Sequence, residues 1–241
     1  MLSPGFEILL EDEAVLGVAK PTGIATQAPP GIDSLETRIK IYLAGSSGDP
    51  RGVYLGLPHR LDRAASGAMI FAKTRRAARV LSRQFERRRV RKLYWACAAG
   101  CVEPAAGTWT DFLWKVYGQP RAMVVESTHV NAQQAVLHYR VIGRHALGSW
   151  LEIELETGRT HQVRVQAASR GFPIVGDALY GSEVALGPAV ADERLRPIAL
   201  HARSLVFWHP TSQAEVRLLA PLGDQWNGLQ LEPVTSPTPG S

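Results

Sequence analysis

The spacing of apolar and polar positions divides this chain into short segments, most of them strand-like. Residues 7–10 and 14–19 read as two strands joined at Glu11-Asp12-Glu13, with Lys20-Pro21 and Gly23 ending the second. Ser34 is placed to cap a helix over 35–43, where Leu35, Ile39 and Leu43 share a face. Residues 45–52 form a polar Gly/Ser/Pro stretch, short enough for a surface loop. Apolar runs at 53–57 and 68–72 flank a charged knot. Thr74 then caps a helix expected over 75–88. Strands are expected at 92–99, 108–112, 122–125, 135–142 and 150–156, with no helix between them, so part of the sheet should be antiparallel. Thr157-Gly158-Arg159 turns the chain into a helix expected over 160–170, with Gly171 as its stop. Strands near 200–208 and 214–219 complete the pattern.

These elements predict an α+β fold: a large mixed, mostly antiparallel sheet flanked by helices. The 241-residue length suits one domain over 1–231, and 232–241, rich in Pro and Ser, should be a flexible tail. Hydrophobic residues make up 45% of the chain, enough for a core. The formal charge of +5 and the pI of about 9.5 point to an anionic partner. Arginine supplies most of that charge, and it suits bidentate phosphate contacts and stacking on bases. A GC-rich genome would leave the same excess. Cys97 and Cys101 have no partner pair, so neither a zinc site nor a disulfide framework is expected. The seven histidines show no metal-ligand spacing. No charged-then-apolar leader and no membrane-length apolar run is visible, so a soluble, cytoplasmic protein is the default.

The charged knot, P-H-R-L-D-R-A-A-S-G over 58–67, sets Asp62 between Arg60 and Arg63. Nearby positive charge favours a carboxylate over its acid. Such a group can be a nucleophile, a base or only a salt-bridge partner. The helix after it carries Arg76, Arg79, Arg83 and Arg87 at three- and four-residue steps, on one face. Like charges so spaced repel unless an anion compensates them. The stripe therefore suggests a phosphate-tracking surface, although a merely solvated face has the same pattern. At 157–164, T-G-R-T-H-Q-V-R sets Arg159 at a helix start and His161 and Arg164 on one face. Each of these has a structural explanation when taken alone. Ser66 lies in A-S-G and not in a G-x-S-x-G elbow, which argues against a serine hydrolase.

Taken together, these motifs resemble the RluA-type pseudouridine synthases, in the short form without an S4 domain. H-R-L-D-x-x-x-S-G matches at 59–67, K-x-Y at 92–94, G-R-T-H-Q-V-R at 158–164 and G-x-P-I-V-G-D-x-x-Y-G at 171–181. The opening I-L-L-E-D-E-A-V-L-G-V-A-K-P-T-G and the late L-H-A-R-S-L-V-F-W-H-P-T also look like family blocks, so the resemblance spans about 6–219. Ala65 stands where the family usually has Thr, and Gln166 where it often has His.

The resemblance implies a cofactor-free isomerase that converts specific uridines of tRNA and/or large-subunit rRNA to pseudouridine, acting as a monomer. It implies that Asp62 is the catalytic aspartate, Arg164 its basic partner and Tyr94 the tyrosine that stacks on uracil. It makes Arg60 the residue that fills the gap left by a flipped nucleotide. His59, Arg159 and His161 are further substrate-binding candidates, and Arg76, Arg79, Arg83 and Arg87 would follow the RNA backbone. No metal or membrane is involved. Two other functions compete: a non-catalytic RNA-binding protein on the same fold, and a nucleosidase that releases the base. A hydrolytic glycosidase normally uses two carboxylates, and the motifs supply one candidate.

Overall fold

The computed structural model describes residues 4–46, 48–188 and 190–233. Eleven strands form one sheet: β1 (Glu7–Glu11), β2 (Val15–Lys20), β3 (Ser66–Ala72), β4 (Arg91–Ala99), β5 (Ala106–Lys115), β6 (Ala122–Val125), β7 (Gln133–His145), β8 (Gly148–Leu155), β9 (Leu200–Trp208), β10 (Glu215–Leu219) and β11 (Glu232–Pro233). The main path runs β1-β2-β3-β9-β4-β8-β7-β5-β6, while β10 pairs β9 and β11 pairs β7. Every pairing is antiparallel except β3 with β9, which is parallel and limited to Ser66–His201 and Gly67–Ala202. Among the described residues three α-helices accompany the sheet: α1 (Leu35–Ala44), α2 (Arg75–Glu86) and α3 (Gln162–Ala168). No helix among the described residues is long and apolar enough to cross a membrane.

Strand β3 shows how the layers arise. All seven of its residues are buried, as a strand covered on both faces requires. Ala68, Ile70 and Ala72 point to one side, where they meet Ala77 and Leu81 of α2. Met69 and Phe71 point to the other, where they meet Leu35 and Ile39 of α1. The two helices therefore lie on opposite faces of the sheet. A third core, under β4, β8 and β7, takes Val163 and Ala167 from α3.

Both expected caps form. The Ser34 hydroxyl accepts from the Thr37 N–H, and that of Thr74 from Ala77. Helix α2 stops at Glu86, two residues early: Arg88 takes a left-handed conformation (φ 54°), and the Arg89 N–H turns back to the Gln84 carbonyl. Strands β5 and β7 outrun the expected 108–112 and 135–142, because each is held by pairing with a long neighbour and not by its own pattern. Residues 53–57 are not a strand. They meet the sheet only at Gly56, which exchanges hydrogen bonds with Ala72 on the free edge of β3. The loose tail was expected from 232, yet Glu232 and Pro233 pair with Arg144 and Gly143. The rest of that tail lies outside the described residues.

The β3–β9 contact carries the loop that precedes it, and Gly67 makes it possible. Its φ of 123° is reserved for glycine, and an added Cβ would collide with the Ala202 backbone. Gly67→Ala is expected to cost about 3 kcal/mol or more. Urea unfolding within about 1 kcal/mol of wild type would show that the crossing tolerates a side chain.

Candidate active site

Asp62 sits on a loop pinned on both sides. Leu61 is buried in the α1-side core, its N–H donates to the Thr26 hydroxyl at 3.1 Å, and that hydroxyl donates to the Leu61 carbonyl at 2.9 Å. On the other side the Arg63 carbonyl accepts from the Gly23 N–H and, at 3.2 Å, from the Lys20 ammonium. Lys20 is itself buried and gives its other donors to Pro21 and Ile24 carbonyls, both at 2.8 Å. Burial pulls its pKa down to about 7, against the Asp62 charge, which raises it. A carboxylate between two anchored neighbours has little freedom to move.

Arg164 reaches that carboxylate from α3. Its Nη1 donates to Asp62 Oδ2 at 3.0 Å. Its Nε and Nη2 donate to the two oxygens of Asp177 at 2.6 and 2.8 Å, a bidentate clamp. Asp177 is 1% exposed and the Arg164 side chain 7%, whereas that of Asp62 is 27% exposed. One end of the array is sealed and the other faces outward. Burial opposes the Arg164 charge, but Asp177 and Asp62 outweigh it and hold the guanidinium pKa above its ordinary value.

The turn before α3 is fastened to β7. The Thr157 hydroxyl accepts from the Val136 N–H, and the Gln162 amide donates to the Val136 carbonyl. Helix α3 spans 162–168, shorter than the expected 160–170, and His161 stands just outside it in a left-handed conformation (φ 53°). From there the imidazole Nε2 lies 3.7 Å from Asp62 Oδ1, and Nδ1 lies 2.8 Å from the Tyr180 hydroxyl. Burial lowers the His161 pKa, with Asp62 working against that. The Arg164 guanidinium lies over the Tyr180 ring, 5.0 Å from its centroid.

Tyr94, on β4, packs between the α1-side core and the core under α3. Burial first, and the Asp62 charge second, push its phenol above the ordinary value, so it stays neutral. Asp62, Tyr94, His161 and Arg164 therefore come together. Arg60 is exposed and has no side-chain partner among the described residues. His59 turns inward: its Nε2 accepts from the Ile70 N–H at 3.1 Å and its ring stacks on Phe85. Burial, helped by Lys92, takes its pKa down to about 3, as a neutral acceptor requires. Arg159 donates to the Gln134 carbonyl at the rim. Arg76, Arg79 and Arg83 are exposed on α2 and Arg87 is exposed just past its end, and the body of that helix covers the face away from Asp62.

Lys92 joins the two regions. It shares a strand face with Tyr94, donates to the Thr157 carbonyl at 3.4 Å and is brought down to about 8 by burial, then by Arg88 and Arg159. Gln166 ties α3 to β5 through Asp111, at 2.6 Å. Asp177, Tyr180 and Lys20 are the site residues that sequence reasoning passed over. Each lies inside one of the motif blocks, so a signal for them was present. Among the described residues no three His, Cys, Asp or Glu side chains are grouped to hold a metal ion.

A family model for RNA pseudouridylate synthase matches residues 14–169. The chain belongs to the RNA pseudouridylate synthase family. An uncharacterized RNA pseudouridine synthase of Synechocystis is 35% identical over 222 residues, covering 90% of this chain and 65% of that protein. Ribosomal large subunit pseudouridine synthase D of Pseudomonas aeruginosa is 31% identical over 228 residues, covering 91% and 69%. The chain thus spans about two thirds of the length of these curated relatives. The solved human RNA pseudouridylate synthase domain containing 4 has a TM-score of 0.71 at 26% identity, covering 94% of both chains. These likenesses agree with the synthase fold and the RluA-type membership expected from the motifs.

If Asp177 anchors the array and Asp62 is its outward-facing end, their amides should differ in cost. Asp177→Asn should lose about 3 kcal/mol in urea unfolding and Asp62→Asn less than about 1. The reverse order would refute the anchoring role of Asp177.

Proposed function

We propose that this chain is an RNA pseudouridine synthase, acting on uridines of large-subunit rRNA and/or tRNA, with Asp62 as its catalytic carboxylate. The observation that carries the proposal is the 3.0 Å contact from Arg164 to Asp62, with Asp177 locking the guanidinium from behind. A part-exposed carboxylate fixed in this way, beside a tyrosine ring, suits attack at a sugar and retention of the base. The Pseudomonas relative's name specifies the large ribosomal subunit, which favours rRNA as the first substrate to test.

The reaction breaks the N1–C1′ bond, turns the uracil and joins C5 to C1′. It is an isomerisation, and its atoms balance without water or a cofactor. The target nucleotide has to leave its stack for the sugar to reach Asp62. The carboxylate either adds to the sugar at C1′ or removes a sugar proton, and Arg164 keeps it oriented in both cases. The neutral Tyr94 phenol stacks on the uracil and offers a hydrogen-bond donor while C5 loses its proton. Arg60, exposed two residues before Asp62, occupies the gap in the RNA. His161, 3.7 Å from Asp62, lines the sugar side, and Arg159 and Lys92 hold phosphates at the rim. The enzyme works as a monomer.

Asp62→Ala leaves Arg164 paired with Asp177, so the variant should fold. It should form no pseudouridine on RNA from cells lacking the enzyme and should bind that RNA within about twofold of wild type. Chemical mapping of pseudouridine reads the outcome. Product from the Ala variant would remove Asp62 from the chemistry, and abasic sites in place of pseudouridine would make the protein a nucleosidase.

The arginine stripe has its own test. Each phosphate that the protein no longer neutralises should lower the slope of log K against log salt by about 0.7–0.9. Arg83→Ala combined with Arg87→Ala should therefore flatten the slope by about 1.5. An unchanged slope would make the stripe a solvated face.

A further inference from the structure

Helix α2 breaks two rules of helix stability at once. Arg75 and Arg76 occupy its first turn, where the helix dipole is positive and an acidic residue would be favoured; none is present. Arg75, Arg79 and Arg83 then follow at four-residue steps, where like charges destabilise. None of these arginines has a carboxylate partner among the described residues. Of the four, only Arg83, in the last turn, sits where the dipole favours a cation.

The same residues wall a groove of about 550 Å³, closed on its other side by Tyr54. Tyr54 is 40% exposed, and the Arg75 guanidinium lies over its ring at 5.8 Å from the centroid. Ala78 and Ser82 also line it, and Glu86 is the one acidic lining residue. A second hollow, of about 450 Å³, lies on the other side of Tyr54. It is lined by Glu11 and Lys73, which neutralise each other at 2.9 Å, so it has no surplus charge to attract an anion. The arginine side is the one built for a ligand that is both anionic and aromatic.

We propose that the groove between Tyr54 and α2 is a second RNA site, which takes an unpaired nucleotide of the substrate. Its base stacks on Tyr54, and its phosphates lie against Arg75, Arg79 and Arg83. This deepens the reading given above and rests on RNA being the substrate. The connection to Asp62 is direct: the segment that bears Tyr54 runs along the edge of β3 into the catalytic loop. Tyr54 and Asp62 are eight residues apart, so at most about 28 Å of chain separates them, a span of a few nucleotides. The groove thus selects RNA by an unpaired base flanking the target, at a place where the chemistry does not occur.

Stacking and phosphate contacts have different salt signatures, which makes the test sharp. The probes are a fluorescein-labelled 12-nucleotide oligouridylate and a 12-base-pair RNA duplex, each titrated at several salt concentrations. Tyr54→Ala should weaken the single strand about tenfold with an unchanged salt slope, because stacking releases no counterions. Tyr54→Phe should restore binding, and the duplex, whose bases are paired, should not respond to either change. Arg79→Ala should instead lower the slope for the single strand. Equal binding by wild type and Tyr54→Ala, or an equal weakening on the duplex, would overturn the site. Pseudouridine formation by wild type is read separately. If product forms while Tyr54→Ala binds normally, the groove alone fails. If no product forms but Tyr54 still governs single-strand affinity, the synthase reading fails and the nucleotide site stands.

Discussion

One guanidinium shared by two carboxylates organises this molecule. Arg164 is buried, and a buried charge is costly unless its donors are met. Asp177 meets two of them from a position with no solvent access, and Asp62 takes a third from the open side. Lysine could not replace it, because an ammonium has no planar fork to grip one carboxylate while reaching another. The arrangement gives Asp62 a fixed direction without burying it, and a reactive carboxylate needs both.

Much of the fold can be understood as the means of delivering those three residues to one point. They come from separate segments: the loop before β3, helix α3 and the turn after it. The parallel contact of β3 with β9 sets the first, and the Thr157 and Gln162 links to β7 set the second. Lys20 supplies a further constraint. Its ammonium donates to three carbonyls under the loop, sharing that of Arg63 with the Gly23 N–H, and the Asp62 charge favours its ionised form against burial. Arg164 and Lys20 thus stand behind one outward-facing carboxylate whose other neighbour, His161, is held below its ordinary pKa by burial.

The readable parts of the sequence were those governed by local rules. Caps at Ser34 and Thr74 and the period of α1 and α2 follow from nearest neighbours along the chain, and both helices form where expected. The motif order was enough to bring Asp62, Tyr94 and Arg164 together. What could not be read depends on long-range partners. Residues 53–57 have a strand's composition, but the edge they meet is taken up by His59 at Ile70, and only Gly56 pairs. His59 looks like a site residue in the motif and turns into the core, because Ile70 needs an acceptor where β9 has diverged. Asp177 sat in a motif block but carried no role, since a bidentate partner for Arg164 is visible only when both side chains are placed.

The distribution of charge separates affinity from chemistry. The arginines of α2, none with a carboxylate partner among the described residues, lie on the face of β3 opposite the one that α1 and Asp62 share, so in the proposed reaction they would not stabilise charge at the sugar. Screening over about 8 Å at physiological salt removes what long-range field remains. The two regions also meet where α2 ends, at Arg88, which pairs with Glu156 just after β8, and at Lys92 and Arg159 beside it. That corner decides whether an RNA strand can serve both. On the reading proposed above, a backbone passing over it would bring one nucleotide to Tyr94 and leave its neighbours along α2. The chain then needs no positive charge inside the site beyond what holds Asp62. This accounts for a protein in which the arginines of α2 and the Asp62 carboxylate lie on different faces of one sheet.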